Sequence, residues 1–188
     1  MLAYVFWHWP RPGADARAYA DRLLAFHRAL RAAPSRGFVA SRVLAVEGAP
    51  WCAGTPAFED WYLVEDWAAL GALDEAAVTA SRQLPHDAVA ALAGGGAGGV
   101  YRRLADGPWP PPAGPVRWFA KPDGERYAAF HARLLPGVEV WQRQMVLGPA
   151  PEYCAFGAPP PGVPAVEVRV EARWSHRPDP PTRVAGDP

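Results

Sequence analysis

The sequence predicts an α+β fold built from two tandem units, the second truncated, and three observations carry that expectation. The stretch GAPWCAGTPAFEDWYLVEDW, Gly48 to Trp67, is echoed between Pro149 and Trp174. Ala49, Pro50, Trp51, Cys52 and Ala53 answer to Ala150, Pro151, Tyr153, Cys154 and Ala155, and Arg42 and Arg143 each stand eight residues before their proline. A Phe-His pair lies further upstream in both copies, Phe26-His27 and Phe130-His131. A period near one hundred residues is too long for a solenoid and reads as a duplicated domain. The second observation is a strand and helix periodicity that runs in the order βαββαβ over residues 2 to 104. The third is PWPPPAG, residues 108 to 114, which continues neither a strand nor a helix and reads as a stiff linker.

Each element has a local cause. Leu2 to Trp9 alternates as a strand, with Leu2, Tyr4, Phe6 and His8 on one side and Ala3, Val5, Trp7 and Trp9 on the other. Asp15 is an N-cap, and Tyr19, Leu23, Phe26 and Leu30 recur at helical spacing until Pro34 and Gly37 stop the helix. Phe38 to Val46 and Phe58 to Val64 are the next strands. Asp66-Trp67 leads into an alanine-rich helix that breaks before Pro85 and resumes to Ala93. Gly94 to Gly99 reads as a flexible loop before a short strand, Val100 to Leu104. This order is the split βαβ arrangement of a ferredoxin-like unit, residues 1 to 107. Beyond the linker, Val116 to Ala120, Gly124 to Leu135, Val138 to Leu147 and Ala165 to Trp174 give only βαββ, a second unit over 115 to 174. Residues 175 to 188 are too rich in proline to pack. That unit is expected to have an exposed sheet edge for the tail or the linker to cover.

Composition excludes several classes. Half of the 188 residues are hydrophobic, enough for a sizeable core. Nineteen basic residues balance nineteen acidic ones, which removes the electrostatic argument for nucleic acid or a membrane surface and leaves a small-molecule ligand as the expected partner. MLAYVFWHW has neither the basic region nor the cleavage site of a signal peptide, and no stretch approaches the roughly 20 apolar residues of a span, so a cytoplasmic address is expected. Cys52 and Cys154 are expected as reduced thiols; with no His or Cys partner at ligand spacing, no metal site is expected.

The order βαββαβ, together with a third strand that runs into its helix as YLVEDWAAL (Tyr62 to Leu70), resembles the dimeric α+β barrel superfamily, which includes antibiotic-biosynthesis monooxygenase-like and EthD-like domains. The resemblance covers residues 2 to 104 well and 116 to 174 in part. It implies two ferredoxin-like sheets facing one another, from two chains of a homodimer or from two halves of one chain, with a small cavity under each sheet. It also implies an enzyme of the cofactor-independent oxygenase, isomerase or lyase kind, with no cofactor expected, although haem-binding members exist. His86 falls near the second helix, where related domains often carry a histidine.

Candidate site residues follow from the alternation. Trp61 and Leu63, aligned with Val168 and Val170, are assigned to the helix-packed face. Asp60, Tyr62 and Val64, aligned with Glu167, Arg169 and Glu171, are assigned to the opposite, polar face. Arg42, between Ala40 and Leu44, needs a counter-charge or a ligand anion, since burying it unpaired is costly. Two readings stand side by side. In one, His8 and Tyr62 move a proton while Arg42, Asp60, Arg169 and Glu171 hold a small organic acid or a phenolic compound in a cavity. In the other, those charges only pair the sheets of a non-catalytic ligand-binding or assembly module. His27, bordering the apolar stripe of its helix, and His131, within the stripe of its own, read as packed histidines in preference to haem or metal ligands. The tryptophans read mainly as core.

Overall fold

The structure is a computed structural model that describes residues 1–107, 114–145 and 148–176. It contains β1 (Leu2–Pro10), α1 (Ala16–Ala32), β2 (Phe38–Glu47), β3 (Ala57–Val64), α2 (Trp67–Ala77), a 3-10 turn (Ala80–Arg82), α3 (Gln83–Ala90), β4 (Ala93–Ala105), β5 (Val116–Phe119), α4 (Tyr127–His131), β6 (Glu139–Gln144), β7 (Tyr153–Phe156) and β8 (Ala165–His176). The eight strands form one antiparallel sheet closed into a barrel in the order β1-β3-β2-β8-β5-β7-β6-β4. The protein is therefore α+β, with four α-helices among the described residues. Residues 108–113 of the expected linker and most of the tail fall outside those residues.

Alternation along the strands sorts side chains into a barrel interior and an outer face. Trp7, Trp61, Trp118 and Trp141 are fully buried and meet inside with Ala3, Val5, Leu44, Tyr101, Cys154 and Val168, so every strand contributes to one core. Outside, Leu2, Val43, Phe58, Tyr62 and Val64 pack under α1, α2 and α3 against Tyr19, Leu23, Phe26, Leu30 and Leu73. A smaller cluster, Phe119, Phe130, Val140, Tyr153 and Ala155, lies on the outer face of the other half. The face assignment made from the sequence is thus inverted: Trp61 and Leu63 point into the barrel, and Asp60 and Tyr62 lie under the helices. Alternation says which residues share a face, but both faces of this sheet are buried, so hydrophobicity could not say which one the helices cover.

Other expectations also shift. Tyr153–Phe156 is a strand where a loop was expected, and β8 follows it, so the alignment of Ala165–Trp174 with the strand at Ala57–Val64 does not hold. Cys154 sits in β7 and Cys52 in the β2 to β3 loop; both are free. The exposed edge does not exist, because β8 pairs with β2 on one side and β5 on the other. Gly94 to Gly99 is the first half of β4, paired with β1, and not a loop. These glycines let β1 rings lie flat on the neighbouring strand: a Cβ on Gly98 would stand 2.7 Å from the Tyr4 hydroxyl, and one on Gly96 2.5 Å from Phe6 Cζ. Helix α1 begins as its sequence requires, with Asp15 Oδ1 accepting from the Arg17 and Ala18 amides at 2.8 and 3.1 Å.

Candidate functional site

A cavity of about 760 Å³ opens between the outer face of β1, β3 and β4 and the helices α1, α2 and α3. Its position follows from small residues on both sides. The glycines of β4 let the Phe6 and Tyr4 rings lie across that strand, and α2 presents Gly71 and Ala77 to the cavity. Tyr4, Phe6, Phe26, Tyr62 and Trp67 give its wall an aromatic part, beside the aliphatic Leu23, Leu30, Leu70, Leu73 and Val89.

The polar end of the cavity centres on Asp60, which is 1% exposed. Three groups converge on its Oδ2: the Tyr62 hydroxyl donates at 2.8 Å, His8 Nε2 stands at 3.1 Å and His27 Nε2 at 3.2 Å. Each imidazole is held from behind, His8 Nδ1 at 2.5 Å from the Tyr19 hydroxyl and His27 Nδ1 at 2.9 Å from Ser41 Oγ. The result is a buried chain, Tyr19–His8–Asp60–His27–Ser41, with Tyr62 bonded at its centre. Stacking of His8 on Phe6 and Phe58, and of His27 on Tyr62, fixes the ring planes. Of this chain, His8, Tyr19, Asp60 and Tyr62 line the cavity; His27 and Ser41 lie behind it.

Electrostatics set the protons. Burial by itself raises the Asp60 carboxyl, but His8 and His27 outweigh burial and hold it well below the usual carboxylate range. Asp60 is therefore the fixed negative charge of the site. Burial first, then that charge, push the Tyr62 phenol well above its usual value, and the same two causes raise Tyr19. Both hydroxyls stay protonated. The Tyr19 hydroxyl and His8 Nδ1 share one hydrogen bond, and the imidazole tautomer decides which of them donates.

The residues nominated from the sequence separate into two groups. His8, Asp60 and Tyr62 come together at the cavity. Arg42 does not: it is 1% exposed inside the barrel, 3.5 Å from Glu139, with its guanidinium over the rings of Trp61 and Phe156. Its neighbour there, Glu59, accepts from the indoles of Trp7 at 2.7 Å and Trp61 at 2.6 Å. Arg169 and Glu171 are on the solvent-facing side of β8, Arg169 near Glu47 at 3.8 Å and Glu171 paired with Arg173 at 2.9 Å. The counter-charge that Arg42 was expected to need is Glu139, not Asp60, Glu167 or Glu171, and the partners of Asp60 are histidines. Sequence reasoning missed Tyr19, His27 and Ser41 as members of the chain. Tyr19 and His27 sit on the buried stripe of α1, where a core role explained them with less; Ser41 alternates with Arg42 and carried no signal of its own.

Among the described residues, no group of three or more His, Cys, Asp and Glu side chains is placed to hold a metal ion, and no helix is long and apolar enough to cross a membrane. No family model matches the chain, and neither the curated proteins nor the solved structures searched contain a match to it.

Proposed function

We propose that the protein is a small-molecule enzyme of the dimeric α+β barrel type in which one chain supplies both halves of the barrel. The strand order supports this reading. One half runs β4-β1-β3-β2 and the other β8-β5-β7-β6, each in the order fourth, first, third, second of a ferredoxin-like unit. The seams pair the second strand of each half with the fourth of the other, β2 with β8 and β6 with β4. On this reading the second unit has lost the helix between its third and fourth strands.

The observation that carries the activity is the Asp60-centred chain at the wall of an aromatic cavity. The proposed chemistry is proton abstraction without a bound cofactor, a first step open to an oxygenase, an isomerase or a lyase. A substrate hydroxyl donates to the Tyr19 oxygen; as its proton leaves, the Tyr19 hydroxyl proton passes to His8 Nδ1. The substrate becomes an anion and His8 an imidazolium, which Asp60 stabilises through Nε2–H. Tyr19 touches the substrate, His8 is the base, and His27 with Ser41 holds Asp60 in place. The alternative, a ligand-binding module without catalysis, shares the cavity but not the proton transfer.

Deuterium exchange separates them. In D2O, the ring hydrogens of 1-naphthol ortho and para to its hydroxyl exchange through the naphtholate, and NMR follows their loss. The native chain is expected to accelerate this exchange, and His8→Gln to lower the acceleration by about a hundredfold, the ordinary scale of a general base. Saturable binding with exchange no faster than in buffer overturns the catalytic reading and leaves the binding module.

A further inference from the structure

Resting on the reading that this cavity holds the substrate, we propose that it selects planar apolar molecules whose polar head donates a hydrogen bond, a hydroxyl or an amine, and turns away carboxylates. The Tyr62 hydroxyl donates to Asp60, and in the tautomer that the proposed base requires the Tyr19 hydroxyl donates to His8 Nδ1; both histidine Nε2 atoms stand close to Asp60 Oδ2, at 3.1 and 3.2 Å. Lone pairs accompany them: those of the two phenol oxygens, and those of Asp60 Oδ1, which like the two Nε2 atoms is buried with no hydrogen-bond partner among the described residues. An anion entering this end would meet the Asp60 carboxylate.

Charge points the same way. Two carboxylates, Asp60 and Asp74, line the cavity, and among the described residues no arginine or lysine does. Histidines are the only bases there, His8 turned toward Asp60 and His86 beside Asp87 at 3.1 Å. The wall hydroxyl outside this scheme is Tyr4, and it lies within the field of Asp74. A carboxylate seated in the cavity would be desolvated against like charge, whereas a hydroxyl or amine would gain an ionised acceptor. Of the two ligand kinds nominated from the sequence, organic acid and phenol, the acid loses its arginine and the phenol gains its acceptor. The aromatic walls set the rest of the ligand: a flat body that stacks, of a size ordinary for cavities of this volume.

A matched series tests this on the native chain without any variant. Calorimetric titration at pH 7.5 compares 1-naphthol, 1-naphthylamine, 1-naphthoate and naphthalene, which share one ring system and differ in the head. The expected result is that the naphthol and the naphthylamine each bind about tenfold or more tightly than naphthalene, as for one hydrogen bond to a charged acceptor, and that the naphthoate binds more weakly than naphthalene. Naphthoate binding as tightly as naphthol, or naphthalene matching naphthol, overturns the head-group selection while leaving the cavity as a binding site. Failure of all four to bind overturns the cavity reading and the selection with it.

Discussion

At the scale of single residues, the protein separates two buried charge systems that the sequence invited us to join. Asp60 and Arg42 lie on adjacent strands, with Val43 opposite Asp60 and Arg42 opposite Trp61 in the ladder. That one-residue offset sends them to opposite faces of the sheet. Asp60 goes to the cavity, where histidines offset its burial; Arg42 goes to the barrel, where Glu139 and two aromatic rings receive it. The separation makes Arg42→Met informative. Methionine keeps the apolar stem but leaves Glu139 without its arginine, so stability measured by urea denaturation is expected to fall by roughly 3–5 kcal/mol, the cost of breaking a buried pair. Affinity for 1-naphthol in the folded fraction is expected to stay within about twofold, because no part of Arg42 lines the cavity. Lost binding in a variant of native stability would return Arg42 to the site.

At the scale of elements, legibility depended on length and on punctuation. Helix α1, with its Asp15 cap and four-point apolar stripe, was readable because cap, period and stop agree. Strand β7 was not: four residues between prolines carry too little alternation to stand out, and their burial comes from barrel neighbours far away in sequence. Strand β4 was misread for the opposite reason. A glycine run signals a loop when considered alone, and becomes a strand only because β1 lays Tyr4 and Phe6 across it. That arrangement gives the run a function in shaping the cavity. Gly98→Ala adds a methyl group whose three nearest contacts are all atoms of the Tyr4 side chain, which must shift, and Tyr4 is a cavity wall. The variant is expected to fold with a melting temperature close to native, since the ring end can move, while 1-naphthol affinity falls on the order of tenfold from the lost fit. Unchanged affinity would show that the β4 surface does not shape the site.

At the scale of the whole molecule, closing the barrel determines what each half contributes. Four interior tryptophans from four strands, Trp7, Trp61, Trp118 and Trp141, make the barrel a packed core shared by both halves. The cavity lies outside that core, under the helices of the first half. The sequence revealed the alternation, the Asp15 cap and the grouping of His8 with Asp60 and Tyr62. Closure, and with it the choice of inner and outer face, is set by pairings of β2 with β8 and β4 with β6, which no local pattern encodes. The central claim is that ligands enter the helix-covered cavity and not the barrel. Indole N–H resonances report on both places at once, because Trp67 lines the cavity and the four interior tryptophans do not. Titration with 1-naphthol, followed by ¹H–¹⁵N NMR with each indole assigned by substitution, is predicted to shift Trp67 saturably and leave Trp7, Trp61, Trp118 and Trp141 in place. Saturable shifts of the interior indoles with Trp67 unmoved would contradict the account.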